Sequence, residues 1–438
     1  MVVAVRRTLP RQRGQALLAG LGLVLVGAAM LVTLFGTGQV LGARQRLADA
    51  ADAAAWSTGL WRARVLNFHA YSNRAILVNE VAIAQAATLL AWAKHFETLA
   101  ANAALLGPLL PPAEPVLTGV AEAARLAREA AQLAAEIEIP ARGAAGVGYK
   151  SILQTSQEIL QLSAHGFGAS MVAAEVARAN DPSFFAWTIP ESGAHRWSRF
   201  TRRADGVDER RPFAELVVAS LDPFTSGPRS ADIRTPVPSP CLNLMRLRKR
   251  GATTLSESLD RWEAQDTLSF HLRTLRGLGC REREALPLGW GAVEVGAARE
   301  GLIETRGEVG INPAARELAA ASMARFGSWG GIEGVRELDL DALDDRRFPV
   351  TRVAVVARAP ASAAATGAQR GLAAGRLAMP ERFAGERLWA LAAAQVYFRR
   401  PPDAPARIEY ASLYNPYWQV RLAEPTPAER AAAVAYAR

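Results

Sequence analysis

QRLADAADAAAWSTGLWRARVL, Gln45–Leu66, follows, after Arg44, on more than twenty residues without a charge. No Pro or turn signal separates the two, yet the composition changes from apolar to alanine-rich with Asp and Arg interspersed. No helix breaker interrupts the passage. The sequence therefore predicts one helix that leaves an apolar medium and carries on into water, and the rest of the fold is built outward from that junction.

On the N-terminal side, Ala16–Phe35 (ALLAGLGLVLVGAAMLVTLF) holds a single polar side chain, Thr33, and no charge occurs from Gln15 to Ala43. About 20 apolar residues in a helix span the ~30 Å hydrocarbon layer, where a helix satisfies its own backbone groups. Arg6, Arg7, Arg11 and Arg13 precede the span, whereas Arg44 and Arg46 after it are offset by Asp49 and Asp52. The asymmetry predicts a cytoplasmic N-terminus, with everything after Ala43 outside. A cleaved signal peptide would have an apolar core of only ~7–15 residues and a small-x-small site, and Leu41 stands where a small residue would be wanted. Gly38 and Gly42, and Ala16 and Gly20, have the spacing that lets membrane helices approach closely, a spacing that chance also supplies in so Gly- and Ala-rich a segment.

On the C-terminal side no helix breaker appears before LLGPLLPP, Leu105–Pro112. Heptad spacing from Leu47 selects Leu47, Ala54, Trp61, Phe68, Ala75, Ala82 and Leu89, with Ala51, Thr58, Val65, Ser72, Asn79, Ala86 and Ala93 four residues on. This is a coiled-coil-like stripe of small residues, in a helix of roughly 130 Å if unbroken. Such a stripe buries little area, so the helix needs a partner. Pro115–Ile137 and Gly148–Ala179 are helical patterns that supply one, with turns at Leu105–Pro112 and Pro140–Gly148. Other copies of the same chain, packed along the alanine-rich helix, are the alternative.

After Asn180 aromatic residues, Arg and Pro rise and helical periodicity fades. Extended segments are expected at Trp197–Arg202, Glu215–Ser220, Ala292–Val295, Val350–Ala357 and Ile408–Tyr410. Helices are expected at Ser256–Leu275, Pro313–Ala324 and, ambiguously, Arg387–Phe398, and Ala361–Ala378 reads as a low-complexity loop. The fold class predicted is an N-terminal transmembrane helix continuing into an extended α-helical stalk, followed by an α+β distal domain with a mainly antiparallel sheet. By residue, 1–14 form a basic cytoplasmic tail, 15–42 the transmembrane helix, 43–180 the stalk or bundle, and 181–438 the α+β extracytoplasmic domain.

The net charge of +9 invites a nucleic-acid partner, but 48 of the 51 basic residues are arginine scattered among acidic neighbours rather than gathered in a stripe. No nucleic-acid role is expected. GAAGVGYKS, Gly143–Ser151, resembles a phosphate loop until Tyr149 separates the Gly from Lys150. His69, His95, His165, His195 and His271 fall in no metal-ligand spacing, and ELDLDALDD, Glu337–Asp345, lacks the central Gly and distal Glu of a calcium loop. GSWGG, Gly327–Gly331, has the wrong order for a nucleophile elbow. No catalytic, cofactor or metal site is legible, and an enzyme is not expected. Cys241 and Cys280, placed outside the cytoplasm, would close a loop of about 40 residues if bridged.

The N-terminal pattern of Arg13-Gly14-Gln15, an apolar span, Ala43-Arg44-Gln45-Arg46-Leu47 and Ala50-Ala51-Asp52-Ala53-Ala54-Ala55 resembles TadE/TadG-like proteins of Flp (tight-adherence) pilus systems. It covers about the first 60 residues. LYNPYWQVRL, Leu413–Leu422, is similar to a late feature of longer members. The resemblance implies a single-pass protein of the bacterial inner membrane, partnered by the membrane and by other pilus-assembly proteins, with Arg13, Gly14, Ala51, Asp52 and Ala53 as pattern positions. Members processed by prepilin peptidase carry Glu five residues after the cleavage glycine, and here that place holds Ala19. An anchored accessory component, or a minor pilin-like subunit serving cell adhesion, fits this better than a major pilin. A membrane-tethered extracytoplasmic enzyme without a local motif, and a generic envelope scaffold, are the alternatives from other classes.

Overall fold

The computed structural model describes residues 15–109, 111–189, 197–234, 245–276, 279–297, 309–339, 350–357, 388–400, 410–425 and 427. Helix α1 runs unbroken over Gln15–Ala104, 90 residues, and is therefore about 135 Å long. After a 3-10 turn at Gly107–Leu109, α2 (Glu114–Pro140) returns antiparallel along α1, opened by a Pro in its first turn. A π segment, Ala141–Ala145, joins it to α3 (Gly146–Ser163), and α4 (Gly166–Asn180) follows.

These three helices form one return arm. Arg128 on α2 meets Glu97 at 3.0 Å, Asn79 donates to Arg142 O at 3.4 Å, and Gln157 on α3 donates to Asn73 Oδ1 at 2.9 Å. Partners on α1 thus step steadily toward the N-terminus. The turn expected at Pro140–Gly148 is not a reversal, because Pro140 lies at the end of α2 and the π segment absorbs the missing donor while the chain keeps its direction. The expected third helix is divided at Ala164–His165.

Eleven strands follow among the described residues. Sheet one orders β1 (Phe184–Thr188), β9 (Val350–Ala357), β10 (Trp389–Phe398) and β11 (Trp418–Ala423), all antiparallel. Sheet two orders β3 (Ala231–Arg234), β4 (Met245–Leu255), β5 (Arg261–Arg276), β6 (Gly279–Gly296) and β7 (Ala324–Phe326), antiparallel except for the β6–β7 pair. A small ladder pairs β2 (Thr201–Arg203) with β8 (Arg336–Leu338). Short helices α5 (Trp197–Phe200), α6 (Val207–Ala219), α7 (Pro223–Ser226) and α8 (Pro313–Ala321) fill the connections.

The body is a mixed α/β region, and its sheets pack directly on α1. Ala43, Leu47, Ala50, Ala51, Ala54 and Ala55 share one core cluster with α4 and sheet one. Ile76, Ile83, Ala84, Ala87, Leu90 and Ala91 share another with Trp262, Val293 and Val295 of sheet two. The expected stalk is consequently no free-standing rod below a separate domain, since its small residues are what lets sheet backbones approach. Gly59 and Gly291 mark the closest passages. A Cβ at Gly59 would lie 2.6 Å from Val420 Cγ2, and one at Gly291 would strike the α1 backbone at Ala91 O and His95 N.

The heptad stripe is also corrected. Buried positions advance as 47, 51, 54, 58, 62, 65, 69, 72, 76, 80, 83, 87 and 91, repeating every 11 residues, about 3.7 per turn instead of the heptad's 3.5. A straight helix drifts ~20° per heptad, so Leu89, expected on the stripe, has rotated outward and is 51% exposed. Flat sheets impose no 3.5-residue repeat, and the coiled-coil expectation fails for that reason. Two further segments differ. Glu215–Ser220, expected extended, lies mostly in α6, where Phe213, Ala214 and Val217 share a buried helical face. Ser256–Leu275, expected helical, is chiefly β5, whose alternation turns Trp262, Ala264, Asp266, Leu268 and Phe270 to one face and Glu263, Gln265, Thr267 and Ser269 to the other. Trp197–Arg202 divides between α5 and β2, Arg387–Phe398 resolves as β10, and Val350–Ala357 is β9. Ala361–Ala378 and Ile408 lie outside the described residues.

Candidate membrane anchor and polar contacts of the long helix

The first part of α1 is bare. Leu17, Leu23, Leu31 and Leu34 are 80%, 74%, 69% and 68% exposed, and its most apolar window has a mean hydropathy of 2.5 with none of it buried. By length and composition this one N-terminal helix can cross a membrane. Thr33 and Thr37 donate to Ala29 O and Thr33 O, each at 2.8 Å, so neither hydroxyl asks for water. The change begins at Gln39, 9% exposed, and the buried core of the helix starts at Ala43, 1% exposed.

The alanine-rich pattern sits just above this change. Ala51 is buried against α4 and sheet one, Ala53 is half-buried, and Asp52 points outward, where partial burial and the neighbouring Asp49 carboxylate raise its pKa. Arg13 and Gly14 lie outside the described residues. Cys280, at the end of the β5–β6 hairpin, is disulfide-bonded, and Cys241 lies outside the described residues.

Higher along α1 the helix carries polar side chains into the body, and sequence reading missed them. Glu80, wholly buried, meets Lys150 Nζ at 2.5 Å and accepts from Trp329 Nε1 at 2.9 Å. Burial raises the Glu80 pKa, opposed by Lys150. This disposes of the phosphate-loop likeness, because Lys150 is committed to a carboxylate. Asn67 forms a two-bond clasp with Trp418, donating to its O and accepting from its N at 3.0 Å each. Asn73 donates to Leu413 O at 2.9 Å and Arg336 O at 2.7 Å. LYNPYWQVRL is thus held on α1 by two amides. Their signal was NFHAYSN, Asn67–Asn73, whose polar residues are too frequent for an apolar face and too short for a solvated one.

Both buried histidines of α1 are kept neutral. His69 Nε2 lies 3.1 Å from Gln161 Oε1, and the Gln161 amide nitrogen donates to Trp197 O, which assigns the proton to His69. Burial lowers its pKa to about 4, helped by the Arg336 charge. His95 is likewise lowered to about 4, by burial first and then Lys249. Beside it Asp266 accepts two charge-assisted bonds from Arg229, one at 2.9 Å, and one from Lys249.

A polar cleft of about 480 Å³ opens beside α8, lined by Arg248, His271, Glu282 and Glu284 among others. Its acids are occupied. Glu282 pairs with Arg246 at 3.0 Å and Arg248 at 2.8 Å, while Glu284 accepts from Ser269 Oγ at 2.5 Å and from the first amides of α8 at 2.6 and 3.1 Å. His271 Nε2 lies 2.8 Å from Asn312 Oδ1. These contacts hold the sheet to α8, and within the lining His271 Nδ1 stands 3.6 Å from Glu282 Oε1. Among the described residues no three His, Cys, Asp or Glu side chains converge as metal ligands. No family model, curated protein or solved structure matches the chain.

Proposed function

We propose that the chain is a membrane-anchored structural component of Flp/Tad-type pilus assembly, an accessory or minor pilin-like subunit. The observation that carries the structural part is the continuity of α1. A membrane-length apolar segment and the central helix of the α/β body are one 90-residue element, so the body is held at a fixed attitude to the bilayer. The pilus assignment rests on the resemblance at Arg13–Ala55 and Leu413–Leu422. The basic residues before the span favour a cytoplasmic N-terminus, and the disulfide at Cys280 supports an oxidising compartment for the body. The ion-paired state of the cleft favours a structural over an enzymatic role. Affinity purification from cross-linked membranes tests the assignment: pilus secretin or platform proteins among the captured species support it, and their absence refutes it.

A further inference from the structure

Among the described residues, one side of the α1–α2 pair is uncovered. On α1, Tyr71, Val78, Leu89, Trp92 and Phe96 are 61%, 60%, 51%, 38% and 37% exposed. They fall along one line of a 3.6-residue helix that also carries exposed Arg74 and Gln85, the latter donating to Asp222 at 2.9 Å, and the line faces neither the sheets nor the return arm. Trp92 stacks on Phe96 with centroids 5.7 Å apart, and Phe224 of α7 stands edge-on to Trp92 at 6.2 Å.

Helix α2 has three faces. Ala124, Arg128, Ala131, Ala135 and Ile139 face α1, and Glu122, Arg125, Glu129 and Glu136 form a charged face. The third face is apolar and exposed: Val116, Val120 and Ile137 at 67%, 43% and 60%, flanked by Leu126 and Leu133 at 53% and 60%. Between them Ala123, Ala127, Ala130 and Ala134 make it flat. Because α2 is antiparallel to α1, helical phase turns this face toward the same side as the open line of α1. The opposite side is the one where Lys94 reaches Ser322 and Trp329 reaches Glu80.

The Glu97–Arg128 and Asn79–Arg142 contacts fix the stagger of the two helices. At that stagger Leu89, Trp92 and Phe96 stand level with Ala134, Ala130 and Ala127. The platform is therefore bulky along α1 and flat along α2 at the same heights.

We propose that this platform joins two copies of the chain, with α1 of each against α2 of the other in an antiparallel four-helix bundle. Anchored copies point the same way and start at the same depth, so a two-fold axis along the membrane normal preserves height. Such an axis sets Leu89, Trp92 and Phe96 of one copy on the alanines of its mate, and the mate returns the same fit. The uncovered apolar area is on the order of 900 Å² per copy, comparable with the ~800 Å² a side of a stable interface and above what monomers usually expose. The inference uses the anchor only for orientation and does not depend on the pilus assignment.

Light scattering of the full chain in detergent, corrected for bound detergent, gives the test. Two copies per particle at micromolar concentration are expected, and Ala130→Glu, exposed in the single chain, weakens pairing at least tenfold while leaving the circular dichroism unchanged. A second measurement mixes Trp92→Cys and Ala130→Cys chains with a short bis-maleimide, and a two-chain product far exceeding that from either variant alone is expected. A single-copy mass at all concentrations, or pairing untouched by Ala130→Glu with no mixed cross-link, overturns the proposal. Loss of pilus partners with pairing intact would defeat only the assembly reading.

Discussion

Below Gly42 and above it, the same helix uses its apolar residues in opposite ways. Below, the Leu and Met side chains and Val24, Val26 and Val32 point outward, and none of the described residues covers them. Above, one face made mostly of small residues, with Leu47, Leu66, Ile76, Ile83 and Leu90 among them, turns inward, while Trp56, Tyr71 and Leu89 on the other side stay at the surface. The difference shows what each environment asks of a helix: lipid accepts bulk on every side, whereas a sheet laid across a helix needs backbone to come near backbone. The embedded part divides again. Near the membrane its contacts are alanine on sheet one, and farther out they include the buried Glu80–Lys150 pair and the His95–Asp266 region.

Removing one partner of the outer ion pair should separate these two zones most sharply. Lys150→Met leaves Glu80 buried without its cation and should cost about 3–5 kcal/mol, read as a fall in thermal midpoint in detergent. The double variant with Glu80→Gln should recover much of the loss, because Gln still accepts from Trp329. Equal loss in single and double variants would show that the pair contributes through packing alone.

The two histidines predict an acid response shared by both zones. Their folded pKa values, about 4, lie below the ~6.5 of an unfolded chain, so the unfolded state takes up protons first. Stability is fully present above pH 6.5 and declines as pH falls toward 4, by about 3 kcal/mol per site. A paired His69→Gln and His95→Gln variant should flatten the fall between pH 6.5 and 4.5 in a thermal-melt series.

In the inner zone, Ala54→Leu should cost about 1–3 kcal/mol by overpacking, since Ala54 is fully buried among close-packed small residues. The same substitution at exposed Ala130 should leave the stability of the single chain nearly unchanged. Asn67→Ala, which removes both bonds to Trp418, should cost about 1–2 kcal/mol and loosen β11, seen as faster amide exchange at Trp418–Ala423.

The sequence made the membrane-length apolar segment and the continuity of α1 legible, because charge absence and missing breakers are local signals. It also exposed the small-residue character of Ala50–Ala55, but not what the stripe meets. A heptad template presupposes a helical partner, and the strands that cover α1 lie up to 351 residues away in the Asn67–Trp418 clasp. Ser256–Leu275 misled because its charged alternate residues are frequent enough to satisfy an amphipathic helix, while the decisive evidence, antiparallel pairing with β4 and β6, is not local. Lys150 looked like a loop lysine for the same reason, its counter-charge Glu80 being seventy positions back along the chain.

Hydrogen exchange across Phe35–Arg46 of the full chain in lipid nanodiscs tests the central claim most directly. This stretch contains Gly36, Gly38 and Gly42, residues poorly inclined to helix, where the exposed apolar segment meets the buried part of α1. The account predicts slow exchange running without a gap from the apolar span into Ala43–Ala55. A window of fast exchange between Gly36 and Gly42 would mean a hinge there, and the anchor and the body would then be two elements instead of one.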